Sequence, residues 1–275
     1  MRNKDLLAVG AFGLSALGGA MLVYGALVES KRLVLDKFDI PLAGLPERLD
    51  GFKIVVLGDF HLCDKYSVEL AKKAIDLALD QDPDMICLVG DFVNYWKPES
   101  PKLIGDVLEP LLIMNGSVVA IPGNHDYKAG SPEILRMILD ELNIKLLRNE
   151  SWVHKGICWT GVDSYNEGAA DVQKAFSSTT ADPIIALWHE PDLVSLLPSG
   201  RAMLQLSGHS HGGQFKFPFN LTPMTSTNGD KYRDGFYPEA PTPLFVTRGV
   251  GTTGPPSRFL CPPQVAVLTL SVDQS

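Results

Sequence analysis

Cysteine pairs, an excess of basic charge and low-complexity tracts are all missing from this sequence. Its 275 residues include four cysteines, and none forms a C-x-x-C pair, so neither a zinc knuckle nor a thioredoxin-type motif is indicated. A chain of this length needs no disulfide staples, and we expect all four cysteines to be reduced or incidental. The formal net charge of −8 argues against a protein that grips nucleic acid through a basic surface.

Charge is also missing near the start of the chain. The run Leu6–Val28 holds 23 residues without a charge, and two basic residues lie on each side of it: Arg2 and Lys4, then Lys31 and Arg32. A helix that rises about 1.5 Å per residue would carry this run across a hydrocarbon core of about 30 Å. The run is longer than the apolar region of a cleaved signal peptide, and no clear A-x-A site follows it. We therefore expect an uncleaved single-pass anchor in the cell membrane.

The basic residues also indicate on which side of the membrane the C-terminal part lies. Three of them lie between positions 31 and 37 and two precede the run, which favours a cytoplasmic C-terminal part. The chain then divides into three expected segments: an anchor with its flanks at residues 1–30, a connector at 31–50 and a folded domain at 51–275.

The folded domain begins with apolar strands that alternate with helical patterns. Strands are predicted at Ile54–Leu57, Met85–Val89 and Ser117–Ile121. Helices are predicted at Ser67–Asp80, with Ser67 as the N-cap, and at Pro101–Leu112. Fully apolar strands joined by helices are typical of a parallel sheet that is covered on both faces.

The second part of the domain is richer in strands. After a helix at Pro132–Leu142, five further strands are predicted: Val153–Val162, Ile184–Trp188, Met203–Leu206, Leu244–Thr247 and Val265–Leu270. Proline, glycine and polar residues from Phe217 to Pro243 predict a long irregular surface loop.

Aspartate and histidine follow these strands directly. The clusters are Gly58-Asp59-Phe60-His61, Gly90-Asp91, Gly123-Asn124-His125-Asp126, His189 and Gly208-His209-Ser210-His211. Five of the six histidines lie in these clusters, whereas histidines with structural roles would not be expected to gather. Open α/β sheets place their ligand sites at the carboxyl ends of the strands, so the clusters predict one shared site.

The spacing and chemistry of the clusters indicate metal binding. Asp59 with His61, and His209 with His211, are two residues apart, so in extended chain each pair points to one side. Carboxylate, amide oxygen and imidazole together suit manganese, iron or zinc better than an all-oxygen calcium site.

In this order, the clusters resemble the signature of the calcineurin-like metallophosphoesterase family. Further stretches resemble a bacterial subgroup that is often membrane-anchored or exported: Gly208-His209-Ser210-His211-Gly212-Gly213-Gln214, Arg248-Gly249-Val250-Gly251, Arg258-Phe259 and Cys261-Pro262-Pro263. The sequence departs from that subgroup at Gln264, where glutamate is usual, and at Ser210, where threonine is common. Neither departure touches an expected ligand.

The resemblance implies an α/β fold of the α+β kind, a four-layer αββα sandwich, preceded here by the transmembrane helix. It implies two divalent metal ions, one held by Asp59, His61, Asp91 and His211 and the other by Asp91, Asn124, His189 and His209. It also implies that His125 is the catalytic histidine beside the leaving group and that Asp126 orients it. Arg248 and Arg258 are further candidates for contact with substrate phosphates. A structural salt bridge or carbonyl contact is the alternative for both.

The function implied is a membrane-anchored, metal-dependent phosphohydrolase. Manganese is the first choice of metal, with iron, zinc or cobalt as alternatives, and a metal-activated hydroxide would cleave a phosphodiester or pyrophosphate bond. The expected partners are the membrane and a phosphate-containing small molecule or lipid-linked substrate, UDP-2,3-diacylglucosamine being one candidate. A phosphatase for proteins or other phosphomonoesters, and a non-catalytic metal-binding scaffold of the same fold, are the alternatives.

Overall fold

Two six-stranded sheets lie face to face and form the body of the protein. The computed structural model describes residues 18–179, 183–217, 221–224 and 226–273. In spatial order the first sheet contains β1 (Val34–Leu42), β12 (Gln264–Val272), β2 (Lys53–Leu57), β3 (Met85–Leu88), β4 (Val118–Ala120) and β5 (Lys145–Leu146). The second contains β10 (Gly235–Tyr237), β11 (Leu244–Val246), β9 (Leu204–Ser207), β8 (Ile184–Leu187), β7 (Ile157–Gly161) and β6 (Glu150–His154).

Helices cover the outer faces of both sheets. On these faces lie α2 (Lys65–Leu79), α3 (Ser100–Leu108), α4 (Pro132–Glu141) and α5 (Val172–Ser177). A further helix, α1 (residues 18–27), contacts the chain at Ser257 and Arg258. Apolar side chains of α2, α3 and α4 pack on the first sheet, and those of α5 pack on the second. The inner faces of the two sheets meet in a separate apolar cluster. The predicted mixed α/β fold with two sheets is therefore confirmed.

Strand β2 shows why its sequence is apolar at every position from Ile54 to Leu57. Val55 and Leu57 point to the helices, whereas Ile54 and Val56 point to the second sheet. Successive side chains of a strand alternate between faces, so a strand buried on both sides reads as a continuous apolar run. Strands β2, β3 and β4 are parallel, and their carboxyl ends lie side by side.

The predicted membrane span is only partly described. Positions 6–17 lie outside the described residues, and the rest of the span, 18–28, contains all of α1 as described. Within the described ranges we find no helix that combines the length and the apolar character needed to cross a bilayer.

Three segments differ from the sequence-based expectations. The predicted connector at 31–50 contains β1, which pairs with β12 along its whole length, from Val34 opposite Gln264 to Leu42 opposite Val272. The stretch predicted as an irregular loop contains β10. The range predicted as one strand, Val153–Val162, instead contains the end of β6, a turn near Gly156 and β7, which pairs with β6 as an antiparallel hairpin.

The start of α2 also differs from the prediction. Asp64, not Ser67, is the N-cap, and its carboxylate accepts a hydrogen bond from the Ser67 backbone amide at 2.7 Å. The Ser67 hydroxyl in turn accepts from the Asp64 amide at 3.1 Å. This reciprocal pair is a capping box, and it satisfies two amides that the first turn of a helix otherwise leaves unpaired.

Candidate metal centre

The side chains predicted to bind metal converge where the carboxyl ends of the parallel strands of one sheet face those of the other. All of them are more than nine-tenths buried: Asp59, His61, Asp91, Asn124, His189, His209 and His211. The first four follow β2, β3 and β4, and the three other histidines follow β8 and β9. Parallel strand ends within each sheet, and the packing of one sheet on the other, bring these distant parts of the sequence together.

Their donor atoms form three overlapping groups, which are linked through His61 and Asp91. Within each of three groups the atoms lie within 4.8 Å of one another: Asp59, His61 and His211; His61, Asp91 and His125; Asp91, His189 and His209. The Asp91 Oδ2 atom is 3.4 Å from His61 Nε2 and 3.3 Å from His189 Nε2. Its carboxylate therefore lies between the two ends of the centre, where a bridging ligand belongs.

The residues fit a pair of divalent cations. The His61 and His211 Nε2 atoms are 2.9 Å apart, close enough for both to contact one cation. In the described part of the chain, the buried Asn124 Oδ1 and His189 Nε2 atoms have no hydrogen-bond partner. A buried polar atom without a partner costs free energy, and a cation would satisfy these atoms.

Backbone carbonyls fix the orientation of two of the imidazoles. His189 Nδ1 is 2.6 Å from the Val89 carbonyl oxygen, and His209 Nε2 is 2.8 Å from the Thr227 carbonyl oxygen. A carbonyl only accepts, so each of these ring nitrogens carries the proton and the other nitrogen keeps its lone pair. Such hydrogen bonds are a regular feature of histidines that bind metals.

The electrostatics of the site also call for positive charge. Burial lowers the pKa of His61 to about 3, so this ring is neutral and able to bind a cation. Burial raises the pKa of Asp59 to about 7. For His189, burial opposes protonation, but the neighbouring Asp91 carboxylate outweighs it and raises the pKa to about 10. Without metal ions, protons bound at Asp59 and His189 offset the negative charge of the buried carboxylates.

The backbone of the centre is strained. Asp59, His61, Asp91, His209 and His211 all have positive φ angles, between 46° and 71°. The left-handed region is unfavourable for residues with a Cβ, and such strain persists only where the surroundings enforce it. One enforcing feature is Gly123, where a Cβ would lie 2.2 Å from the Asp91 carboxylate.

Asp126 holds this backbone in place. It is fully buried, and its carboxylate accepts hydrogen bonds from the amides of Asp91 at 2.9 Å, Phe92 at 2.8 Å and Gly123 at 2.9 Å. The carboxylate is thus engaged with the loops after β3 and β4, and not with the ring of His125. Asp126 therefore positions Asp91. The resemblance had implied that Asp126 orients the His125 ring, but its carboxylate is engaged by these backbone amides instead.

Two other groups orient His125. Its Nδ1 atom is 2.7 Å from the Asn94 carbonyl oxygen, and its Nε2 atom is 2.8 Å from the Lys128 ammonium. The His125 ring also contacts the His61 ring edge-to-face, with centroids 4.6 Å apart. The histidine therefore stands beside the centre with a cation next to its outer nitrogen.

The two arginines proposed as phosphate contacts are engaged elsewhere. Arg258 is fully buried and donates to the carbonyl oxygens of Arg248 at 2.8 Å and Cys261 at 3.2 Å, and also to that of Gly251. Arg248 pairs with Asp36 at 2.6 Å. These contacts agree with the structural alternative for both residues.

Sequence reasoning missed Lys128, Asn166 and Glu190. The Glu190 carboxylate is fully buried and accepts hydrogen bonds from the Ser164 hydroxyl at 2.6 Å and from the backbone amide of Asn166 at 3.2 Å. It thereby holds Asn166 beside His209, with Asn166 Nδ2 3.4 Å from His209 Nε2. The available signal was position, since Glu190 directly follows His189 and Lys128 lies three residues after His125.

A family model described as "calcineurin-like phosphoesterase" matches residues 52–213, which contain every side chain of this centre. The chain belongs to the calcineurin-like phosphoesterase family. The match ends at Gly213, so the segment that carries Arg248 and Arg258 lies beyond it.

Relatives span the chain well beyond the family match. It is 30% identical over 273 residues to a Bacillus subtilis protein named "Uncharacterized metallophosphoesterase YkuE", covering 95% of each. It is 28% identical to "Phosphodiesterase YaeI" of Escherichia coli, covering 83% of this chain and 86% of that protein. It is also 28% identical to a Danio rerio "Transmembrane protein with metallophosphoesterase domain" over 97% of this chain, but it spans only 65% of that protein.

The family and the centre together define the general activity. This member of the calcineurin-like phosphoesterase family is a metal-dependent phosphoester hydrolase whose candidate ligands support divalent metal ions.

Proposed function

We propose that this hydrolase uses two divalent cations to cleave a phosphodiester or pyrophosphate bond. The observation that supports this most is the position of Asp91, which belongs to ligand groups at both ends of the centre. A cavity of about 440 Å³ opens on the same residues and is lined by Asp91, Asn124, His125, Asn166, His209 and His211, among others. This volume admits a substituted phosphate group. We propose manganese as the physiological metal.

The residues of the chain divide the work of hydrolysis. Two bound cations would lower the pKa of a shared water and offset charge on the phosphoryl oxygens. Asp91 holds the two ends of the centre at a fixed separation, and Asp126 holds Asp91. His125 stands at the rim, where the Asn94 carbonyl keeps its Nδ1 protonated and its Nε2 faces Lys128. The Lys128 ammonium donates to this Nε2, so the proton for the departing oxygen would pass from Lys128 through His125.

The N-terminal residues bear on where the enzyme lies in the cell. We propose that residues 1–30 anchor the enzyme in the cell membrane and that the domain after residue 50 faces the cytoplasm. The uncharged run Leu6–Val28 supports the anchor, and its described end, α1, packs on the domain, which would hold the site at the membrane surface. The likeness to a zebrafish protein named for its transmembrane character also supports the anchor. An anchored site lies close to lipid, and a lipid-linked substrate such as UDP-2,3-diacylglucosamine suits it.

Two assays test this proposal. Full-length protein loaded with manganese should hydrolyse bis(p-nitrophenyl) phosphate with a higher kcat/KM than p-nitrophenyl phosphate. It should also release UMP from UDP-2,3-diacylglucosamine, and failure in this second assay alone would remove only that substrate.

The alternatives give different results in the same assays. Faster cleavage of the monoester would make the protein a phosphatase. Protein that binds two equivalents of metal yet turns over neither ester would be a scaffold.

A further inference from the structure

A second cavity lies beside the metal centre, between α1 and the body of the domain. It measures about 260 Å³. Its lining is mostly carbon: Ala26, Cys63, Tyr66, Leu70, Thr252 and Pro256. The charged residues on it, Lys31 and Asp64, are both exposed, and the Lys31 ammonium lies over the Tyr66 ring at 4.9 Å from its centroid. The cavity therefore offers an apolar interior with a charged rim.

This second cavity adjoins the one at the metal centre. His61, whose Nε2 atom belongs to the centre, also lines the second cavity. Thr252 lines the second cavity, and its neighbour Thr253 lines the first. The two spaces therefore flank one short strip of backbone, and His61 borders both the centre and the second cavity.

Helix α1 is a fixed wall of this cavity. A Cβ at Gly25 would lie 2.2 Å from the Ser257 hydroxyl oxygen and 2.4 Å from the Arg258 carbonyl oxygen, so only glycine permits this approach. The Ser257 hydroxyl donates to the Leu22 carbonyl at 3.1 Å, and the Arg258 amide donates to the Gly25 carbonyl at 3.3 Å. The N-terminal helix is thus bound to the domain by backbone contacts, and it completes the cavity through Ala26.

We propose that the cavity binds an apolar substituent, an alkyl or acyl chain, on the phosphodiester that the metal centre cleaves. This inference rests on the proposed function, and it names the substrate class as an amphiphilic phosphodiester. Ala26, Tyr66, Leu70 and Thr252 offer a chain apolar contact. A chain that leaves water for this cavity contributes binding free energy with each methylene.

A series of alkyl p-nitrophenyl phosphates, from methyl to decyl, tests the proposal below their micelle concentrations. Hydrolysis adds water, breaks the bond between phosphorus and the nitrophenolate oxygen, and leaves an alkyl phosphate. With full-length, manganese-loaded protein we expect kcat/KM to rise about three- to fourfold per methylene, the equivalent of about 0.8 kcal/mol per buried CH₂. The rise should stop once the chain fills the cavity.

Adjacent residues of α1 provide a matched pair of variants. Ala26→Trp fills the cavity and should bring the ratio of kcat/KM for the decyl and methyl esters close to one. Leu27 is 61% exposed and does not line the cavity, so Leu27→Trp should leave that ratio as in the natural protein. Tyr66→Ala widens the cavity and should move the plateau to longer chains, which keeps the test valid if Ala26→Trp does not fold.

The outcomes separate the two proposals. No chain-length dependence in protein that readily cleaves the methyl ester would overturn the apolar cavity and leave the proposed function standing. An equal loss in Ala26→Trp and Leu27→Trp would also overturn it, because the effect would then come from displacement of the helix. No turnover of any ester by metal-loaded protein would overturn the proposed function itself.

Discussion

The two sheets contribute to the metal centre in different ways. The first sheet supplies all of the candidate oxygen ligands, those of Asp59, Asp91 and Asn124, and one candidate imidazole, that of His61. The second sheet supplies imidazoles only, from the loops after β8 and β9. Negative charge is therefore concentrated on the first sheet, and the second sheet offers only imidazole side chains to the same centre.

The two halves are also held differently. Loops of the first sheet are fixed by a buried carboxylate, Asp126, that accepts from their backbone amides. The imidazoles of the second sheet are fixed by backbone carbonyls, those of Val89 and Thr227. A change in the first half thus alters both charge and backbone position, whereas a change in the second removes one neutral ligand. We expect the first half to be the less tolerant of substitution.

The largest effect should follow the loss of the shared carboxylate. Asp91→Ala removes a ligand from both ends of the centre and should lower kcat for bis(p-nitrophenyl) phosphate by about 1,000-fold or more. His209→Ala removes a ligand from one end only and should cost less. Metal content, measured by mass spectrometry on dialysed protein, should fall for both sites in Asp91→Ala. Near-normal turnover in that variant would contradict the bridging role, and Asp106→Ala, at an exposed ion pair, is the control.

The next effect concerns the histidine at the rim. His125→Gln should lower kcat by about 100-fold or more, because it removes the group that holds a proton beside the leaving oxygen. Metal content should stay that of the natural protein, which distinguishes this variant from a ligand variant. If His125→Gln loses one metal ion, then His125 is a ligand, as its closeness to His61 and Asp91 would permit.

A smaller effect is expected where the first half is held together. Asp126→Asn keeps the size of the side chain but turns an NH₂ group toward amides that already donate. Metal affinity should fall about 10- to 100-fold, as for other residues that orient metal ligands. Activity should recover at high manganese concentration. A loss of kcat that saturating manganese does not repair would mean that Asp126 acts on the reaction and not on the loop.

The sequence alone predicted the core of the first half well. Strands β3 and β4, and β2 after Lys53, are apolar at every position because both of their faces are buried. Each apolar run, the residue where it ends and the polar residues after it could therefore be recognised in the sequence. The resemblance then supplied ligand groups that the structure brings together. The anchor, the segment boundaries and the sidedness stay predictions.

What the sequence could not predict are contacts made across long separations. Strand β1 reads as half-polar because it lies at the sheet edge, and only its pairing with β12, more than 200 residues away, makes it a strand. The role of Asp126 was assigned wrongly for the same reason, since its partners Asp91 and Phe92 come from another loop. Arg258 gives no local sign that its charge is buried against carbonyls.

Arg258 provides the prediction with the smallest effect on catalysis. Arg258→Met removes a buried donor from several carbonyls near the second-sheet ligands and should reduce the free energy of unfolding by about 3 kcal/mol. The midpoint of urea unfolding measures this loss, and KM for the diester should stay unchanged. Arg136→Met is the matched control, because Arg136 forms a half-exposed pair with Glu150, a kind of contact worth about 1 kcal/mol or less. A raised KM with normal stability would instead restore Arg258 as a contact for substrate phosphate and extend the site beyond the histidines of the second sheet.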